Sequence, residues 1–295
     1  MRRFVQIIWI FLINGHIFPF KNKIYIGPLK SICAPGLNCY SCPLATLGCP
    51  IGGLQHFMSQ LRAHLHYGIF MFGFYIWGSL MLIGAFVGRM ACGWACPFGL
   101  LQEMIYKLPT PKYRLPKALD YVKYVVLVLF VLILPAIWID KSGYGRPWFC
   151  RFICPAGTLE AGLPLLGMMP NLRVQVGWLF YNKLFILVVF LTLPAFFKRP
   201  FCHILCPLGA FYGLFNKISF LRIYVDQKAC HKCDLCYKHC PMGIRIYEDP
   251  NQLECIRCLT CREVCPYQAI SLGFGNRRTQ IVKDKFHTAD VETYR

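Results

Sequence analysis

The chain has 295 residues, of which 56% are hydrophobic and only 15% charged, and this composition is too apolar for an ordinary soluble domain. The formal net charge is +19, but lysine and arginine are dispersed between hydrophobic blocks and form no basic stripe, which argues against nucleic acid as a partner. Eighteen cysteines point to metal ligation rather than to the disulfide framework of a small secreted domain.

Four hydrophobic blocks approach the roughly 20 residues that a helix needs to cross a bilayer core of about 30 Å. They cover residues 4–20, 68–87, 124–139 and 178–197. The first block follows a basic start and resembles a secretory signal, but no small-residue cleavage site follows it, so we expect a retained spanning helix. The pattern predicts a membrane all-α domain with four transmembrane helices.

Lysine and arginine near the helix ends predict the orientation of these helices. The basic residues on one face are Arg2, Arg3, Arg89, Lys107, Lys112, Arg114, Lys117, Lys123, Lys198 and Arg199, joined by the basic tail. We expect this face to be cytoplasmic, so that a multi-pass protein of the cytoplasmic (inner) membrane has both its N- and C-termini in the cytoplasm. The bias is moderate, because the opposite loops also carry basic residues such as Lys21 and Arg146.

A short motif that contains Cys-Pro and ends at a glycine recurs four times in the membrane domain, which we place at residues 1–226. The copies read CPIG from Cys49, CGWACPFG from Cys92, CRFICPAG from Cys150 and CHILCPLG from Cys202. Cys96 and Cys206 are 110 residues apart, and the last cysteines of the first and third copies are 105 apart, which indicates a duplication. Two such pseudo-repeats, related by an axis along the membrane normal, would bring equivalent motifs together.

The two motifs on the inner, cytoplasmic face supply two Cys-x3-Cys pairs, which together offer the four thiolates of one [4Fe–4S] cluster. The predicted inner ligands are Cys92, Cys96, Cys202 and Cys206. For a single copy, a buried cysteine before a helix-breaking proline is the simpler interpretation, but repetition at matched topological positions favours a cluster.

The outer site is less regular, because Ala45 stands in the first copy where the leading cysteine belongs. We expect one outer cluster there. Its predicted ligands are Cys150 and Cys154 with two of the three cysteines Cys39, Cys42 and Cys49. Cys33 is a sixth candidate, and the remaining thiols could form a disulfide, ligate another metal or stay free.

The C-terminal cysteines follow the spacing C-x2-C-x2-C-x3-C-P twice, which is the bacterial two-cluster pattern in which the fourth cysteine of each run ligates the other cluster. One [4Fe–4S] cluster is expected on Cys230, Cys233, Cys236 and Cys265, and the other on Cys255, Cys258, Cys261 and Cys240. We place this small α+β ferredoxin domain at residues 227–272, followed by a polar tail at 273–295. Zinc is the alternative for such CxxC pairs, but two copies in this register favour iron–sulfur clusters.

These motifs resemble the ferredoxin-type membrane subunits of the NapH/MauN kind and the C-terminal part of the NosR-type regulators. The resemblance covers the four hydrophobic blocks, the inner Cys-Pro motifs and both ferredoxin runs. It implies quinol oxidation at the membrane and electron delivery through iron–sulfur centres to a partner redox protein. The outer cysteines depart from the family's simplest pattern and suggest a route for electrons to the far side of the membrane.

The function we expect is that of an integral membrane iron–sulfur electron carrier, an electron-transfer subunit of an oxidoreductase of the quinol dehydrogenase type. It would relay electrons between a cytoplasmic redox partner and the quinone pool or an extracytoplasmic acceptor. Other redox subunits, a soluble ferredoxin or flavoprotein, and membrane lipid are the expected partners. No catalytic triad, P-loop or Rossmann fingerprint occurs in the sequence, so no catalytic residue is predicted.

Two alternatives remain at this stage. A membrane polyferredoxin that reduces copper or matures a cofactor would use the spare outer thiols, because soft thiolates suit Cu(I). A redox sensor would need an output domain, for which the tail is too short and polar.

Distance is the main physical difficulty, because clusters on opposite faces of a bilayer core of about 30 Å would be too far apart for direct tunnelling unless the cysteine loops re-enter the membrane. A quinone site has only weak candidates in the sequence: His16, His56, His64 and the aromatic residues near Trp94.

Overall fold

The structure is a computed structural model that describes residues 2–16, 24–66, 68, 73–140, 144–275 and 277–278. Helices dominate the first 220 residues, here called the helical unit. In chain order these helices are α1 (Arg2–Ile13), α2 (Pro50–His66), α3 (Phe74–Val87), α4 (Met90–Trp94), α5 (Pro97–Ile105), α6 (Lys117–Ile137), α7 (155–168), α8 (Trp178–Phe196), α9 (Pro200–Ile204) and α10 (Pro207–Leu214). Shorter turns at Pro28–Ser31, Phe149–Ile153, Pro170–Gln175 and Phe215–Lys217 connect them.

Two of the described helices, α6 with 21 residues and α8 with 19, are long and apolar enough to cross a membrane. Only 28% and 17% of their most apolar windows are buried inside the protein. The first hydrophobic block is helical from Arg2 to Ile13, and its residues 17–20 lie outside the described residues. The second forms the 14-residue helix α3, with residues 69–72 likewise outside them. The described residues therefore establish two spanning candidates, not four.

The Cys-Pro motifs start helices by a common geometry. Cys96, Cys154 and Cys206 are extended N-cap residues, and the proline that follows each of them occupies the first helical position, where no amide hydrogen bond is lost. The glycine amide three positions further on donates to the cysteine sulfur, at 3.4 Å for Gly157 and 3.3 Å for Gly209. The motif thus points one sulfur at the N-terminal end of each new helix.

Helix α1 runs alongside other helices of the helical unit, from the inner motifs to the first cysteine loop, which we define as residues 33–49. At its start, both terminal guanidinium nitrogens of Arg2 donate to Glu103 on α5, at 3.0 and 2.7 Å. At its end, the carbonyl of Ile13 accepts hydrogen bonds from Asn38 and Thr46. These bonds satisfy carbonyl groups that a helix C-terminus would otherwise leave unpaired.

The C-terminal ferredoxin unit is built on a small antiparallel sheet of β1 (Leu221–Val225), β2 (Ile270–Phe274) and β3 (Arg277–Arg278). Leu221 pairs with Phe274 and Val225 with Ile270. Strand β1 precedes the boundary expected at residue 227, so the sheet of this unit begins earlier in the chain. The short helices α11 (Leu235–His239) and α12 (Thr260–Glu263) lie between the strands.

The two cysteine runs of the ferredoxin unit share an unusual backbone. Lys232 and Asp234 have left-handed φ values of 51° and 59°, and Arg257 and Leu259, at the same places in the second run, have 47° and 62°. Left-handed residues other than glycine are uncommon and cluster at functional sites. Their recurrence bends both loops in the same way around the cysteines.

Candidate functional site

The four predicted inner cysteines are brought together in one buried quartet, which we call the inner quartet. Cys92, Cys96 and Cys202 are 6% exposed and Cys206 is 4% exposed. The Cys206 thiol lies in the electrostatic field of the other three. All eighteen cysteines are free of disulfides.

Two buried arginines cross the inner quartet in reciprocal fashion. Arg89 precedes Cys92 by three residues and donates to the Cys202 carbonyl at 3.0 Å, whereas Arg199 precedes Cys202 by three and donates to the Cys92 carbonyl at 3.0 Å. Each arginine also pairs with one glutamate, at 2.6 Å for Glu254 and 2.7 Å for Glu103. Reciprocal contacts of this kind are what two duplicated motifs related by a local twofold axis produce. They place two positive charges beside four potential thiolates.

The outer cysteines form a second quartet, called the outer quartet, and the structure narrows the choice that the sequence leaves open. Cys150 has Cys154, Cys49 and Cys39 as its electrostatic neighbours. A Cβ on Gly157 would lie 3.6 Å from the Cys39 sulfur and 3.7 Å from that of Cys154. The outer quartet therefore consists of Cys39, Cys49, Cys150 and Cys154. Cys39 takes the role of the leading cysteine, whose position in the first motif copy is occupied by Ala45.

Cys42 and Cys33 are not among the main electrostatic neighbours of Cys150 and Cys154, and within the outer quartet Cys42 acts electrostatically on Cys39 alone. Cys42 is 5% exposed, and its electrostatic neighbours include Lys30 and Glu160 but neither Cys150 nor Cys154. The Lys30 ammonium donates to the Cys42 and Ala45 carbonyls at 3.5 and 3.0 Å. Cys33 forms an isolated backbone bridge with Gly48.

In three of the four motifs, the residue six positions after the last cysteine reaches across to the other half of its quartet, and the sequence offered no signal for this role. The Gln102 amide lies 3.5 Å from the Cys202 sulfur, and the Gln55 amide lies 3.2 Å from the Cys150 sulfur. Glu160 accepts a hydrogen bond of 2.6 Å from the Cys39 amide. The fourth such residue is Tyr212, whose side chain is fully buried.

The ferredoxin cysteines also lie in two groups. Cys236 has Cys233, Cys230 and Cys265 as electrostatic neighbours. Cys261 has Cys258, Cys255 and Cys240, and Cys236 of the first group follows them. One small cavity is lined by the first set of four and another by the second set together with Cys236. The two groups are therefore adjacent, in the combination that the crossed spacing predicts.

All four quartets are in direct succession through the protein. A Cβ on Gly93, inside the second motif, would lie 2.5 Å from the Ile256 carbonyl oxygen, next to Cys255. A Cβ on Gly36, in the first cysteine loop, would lie 2.8 Å from the Cys96 Cα. Contact between these backbones means that the thickness of a bilayer core does not separate the inner quartet from the outer one.

A cavity of about 610 Å³ opens beside the ferredoxin cysteine Cys240, between that unit and the helical unit. Its lining has five tyrosines, six lysine or arginine residues and three acidic residues. Asp120, His203 and Glu254 line it too, with ligand atoms within 4.8 Å of one another. Glu254 is already paired with the buried cations Arg89 and Lys123, whose charges oppose a further metal ion there.

The donor sets fit iron–sulfur clusters. Burial raises the pKa of the Cys92 thiol to about 11 and that of Cys96 to about 12, so these thiols must lose protons when they ligate iron. Buried donors without a described partner, the Arg89 Nε and the Tyr212 hydroxyl, also belong to residues beside the inner quartet. Cluster sulfurs accept hydrogen bonds, and such bonds help to set the reduction potential.

Comparisons with known proteins agree with this chemistry. A model of a 4Fe-4S binding domain matches residues 69–116, 123–164 and 180–223, and a model of a 4Fe-4S dicluster domain matches residues 222–266. No solved structure matches the chain. Each of the three matches to the first model contains one complete Cys-x3-Cys-Pro motif.

Three curated relatives illustrate the family. An uncharacterized protein of Methanocaldococcus jannaschii is 34% identical over 209 residues, which cover 68% of this chain and 78% of that protein. The regulatory protein NosR of Stutzerimonas stutzeri is 31% identical over 140 residues, covering 34% of this chain and 18% of NosR. The methylamine utilization ferredoxin-type protein MauN of Methylorubrum extorquens is 31% identical over 127 residues, covering 43% of this chain and 38% of MauN. The resemblance predicted from the motifs is thereby confirmed: the chain belongs to the NapH/MauN/NosR-type family of ferredoxin-type iron–sulfur proteins.

Proposed function

We propose that this protein is an integral membrane electron carrier that relays electrons between a cytoplasmic redox partner and the quinone pool or an extracytoplasmic acceptor. The observation that carries the proposal is the unbroken succession of four cysteine quartets, from Cys230 and its neighbours to Cys150 and its neighbours. [4Fe–4S] clusters, when bound, supply one-electron oxidation and reduction. The chain's own role is to hold four such groups in line and to exclude water from the inner ones.

Contacts between the two units support a fixed electron path through the protein. The Trp94 indole nitrogen donates to the Arg257 carbonyl at 3.0 Å, and the Asn216 amide donates to the Cys255 carbonyl at 2.7 Å. Arg257 is itself fully buried and donates to the Val87 and Asn216 carbonyls. These bonds hold the ferredoxin loop against the inner motif, so the distance between the two neighbouring quartets is fixed.

A lipid bilayer is the environment that suits the exposed apolar surface of α6 and α8. Large apolar side chains such as Phe185 and Val188 are 66% and 49% exposed. Contiguous apolar surface on this scale is covered by lipid or by another protein in stable molecules. We propose a multi-pass protein of the cytoplasmic membrane, with Cys-Pro loops serving both faces and both termini in the cytoplasm.

Electrons would enter or leave beside Cys240, in the cavity of about 610 Å³. Its tyrosines and surplus of basic residues suit an aromatic or anionic redox partner, such as a quinone headgroup, a soluble ferredoxin or a flavoprotein. None of the residues named from sequence as quinone candidates, such as His56 or Trp94, lines this cavity.

Copper reduction is less well supported. The reason to consider copper reduction is the pair of spare thiols Cys33 and Cys42. However, the Lys30 ammonium lies beside Cys42 and would repel a copper ion. Stopped-flow reoxidation of the reduced protein by a menaquinone analogue and by Cu(II) separates the two functions. Rapid reoxidation by Cu(II) with no response to the quinone would favour the copper function.

Iron content tests the proposal directly. Four [4Fe–4S] clusters correspond to about 16 Fe per chain. We expect about 12 in Cys92→Ser and about 12 in Cys150→Ser, with a different EPR signal missing from each. A parent protein with about 8 Fe, unchanged in both variants, would leave only the ferredoxin unit and would overturn the proposal.

A further inference from the structure

The hydroxyl of Tyr212 is a buried polar group without a described partner. Its side chain is 0% exposed, and no described residue makes a hydrogen bond to its oxygen. Burying a hydroxyl without a partner destabilises the folded protein. If the hydroxyl made no polar contact, phenylalanine, which fills nearly the same volume, would therefore give a more stable protein at this position.

The position of Tyr212 in the duplicated motif indicates which cysteine its hydroxyl faces. Gln55 and Gln102 each stand six residues after the last cysteine of their motif, and each amide nitrogen contacts the leading cysteine of the partner motif. Tyr212 stands six residues after Cys206. By the same rule, its counterpart is Cys92.

The surroundings of Tyr212 agree with the rule. Among the cysteines, Cys92 exerts the largest electrostatic effect on its phenol, followed by Cys33, Cys49 and Cys96. The tyrosine therefore lies against the inner quartet on the side that faces the first cysteine loop. The Cys206 sulfur, on the same helix, is capped by the Gly209 amide.

We propose that the Tyr212 hydroxyl donates a hydrogen bond to a sulfur of the iron–sulfur cluster held by the inner quartet, on its Cys92 side, and so raises the reduction potential of that cluster. The inference rests on the proposed occupation of this quartet by a cluster. Tyr212 carries no electron itself. Its role is to adjust the reduction potential of the cluster through this hydrogen bond. A donor aimed at sulfur stabilises the reduced, more negative cluster more than the oxidised one.

The test is an EPR-monitored redox titration of the detergent-purified full chain. We expect Tyr212→Phe to keep the iron content and the ferredoxin signals but to reduce the one-electron reduction equilibrium constant of the inner centre by up to about tenfold, equivalent to about 59 mV. Tyr181→Phe, on the exposed surface of α8, is the matched control and should shift nothing. An unshifted inner centre in Tyr212→Phe would refute the proposal.

A second variant covers the case in which Tyr212→Phe loses its cluster. Site-specific 3-fluorotyrosine at position 212 keeps the hydroxyl and nearly the same volume but makes it a stronger donor, so the inner centre should shift to a higher potential. A zero or negative shift would also overturn the proposal. If the parent itself lacks the EPR signal that Cys92→Ser removes, the inner cluster, and with it the proposed function, fails instead.

Discussion

Cysteines of the same local sequence differ in what surrounds their sulfur, and that difference distinguishes the expected ligand Cys39 from Cys42. Cys39 and Cys42 belong to one CxxC pair. Only Cys39 lies over Gly157 with Cys154. The Lys30 ammonium donates to the Cys42 carbonyl and acts electrostatically on Cys42 more than on Cys39.

We therefore expect Cys39→Ser to lose about 4 of the bound iron atoms, because a serine oxygen is a poorer ligand for iron than a thiolate. Cys42→Ser is the control and should retain the full iron content. Iron analysis with EPR of both purified variants measures this. Equal losses in the two variants would contradict the assignment of the outer quartet.

Glu254 is the shared anion of two fully buried cations, Arg89 and Lys123. Removal of one partner from a buried ion pair typically costs about 3–5 kcal/mol, because a charge is left uncompensated. Glu254→Ala should lower the free energy of unfolding by this amount and loosen the ferredoxin unit. Thermal unfolding in detergent and limited proteolysis would report it.

The matched control is Glu248→Ala, which removes an exposed partner of Arg245. Exposed pairs contribute about 0–1 kcal/mol, so we expect a melting temperature close to that of the parent. A Glu254→Ala protein as stable as the Glu248→Ala protein would show that the buried triad does not secure the ferredoxin unit.

At the scale of elements, short segments position the sites more than the long helices do. The five-residue helices α4 and α9 carry the leading inner cysteines, and the αL residues of the ferredoxin loops bend the chain around the others. Close backbone approaches join these segments, which is why glycine occupies positions 36 and 93.

Gly93→Ala should therefore disturb the junction between the two units. Its Cβ would lie 2.5 Å from the Ile256 carbonyl oxygen, a backbone atom that can yield only if the ferredoxin loop moves. We expect slower electron exchange between the ferredoxin and inner centres in freeze-quench EPR, and a lower melting temperature. Gly78→Ala, where nothing lies within 4 Å of the new Cβ, should be neutral or slightly stabilising in helix α3. Identical behaviour of the two variants would contradict the close junction.

At the scale of the whole molecule, the exposed apolar surfaces of α6 and α8 lead us to expect a membrane location. We expect the parent protein to remain in the membrane pellet after alkaline carbonate extraction. A lysine in place of Val188, near the middle of α8, should impair insertion, since a charged residue at the centre of a spanning helix costs about 2.5–3.5 kcal/mol. The readout is the fraction of protein in the pellet.

Val174→Lys is the control, because Val174 is 90% exposed in the turn between α7 and α8. It should stay in the pellet as the parent does. Release of the parent by carbonate, or equal retention of both lysine variants, would contradict membrane insertion through α8.

Much of this protein follows from its sequence, because cysteine spacing is a local property. The crossed grouping of the ferredoxin cysteines requires only the two C-x2-C-x2-C-x3-C-P runs, and the grouping of the inner quartet only the 110-residue repeat. Family membership also followed from these motifs. Helices α6 and α8 were visible as continuous apolar blocks, since length and composition are all that a spanning candidate needs.

Tertiary structure decided the features that depend on residues distant in the chain. Cys39 and Cys42 are equivalent in sequence, and only the packing of the first cysteine loop against Gly157 distinguishes them. Gln102 and Tyr212 occupy equivalent positions but have no common side-chain chemistry, so no pattern marks them. The contact of Gly36 with Cys96 likewise depends on folding of the loop, and it brings the first cysteine loop against the inner quartet. Spacing along a chain fixes which atoms can share one cluster, whereas the distance between clusters depends on how separate backbones pack.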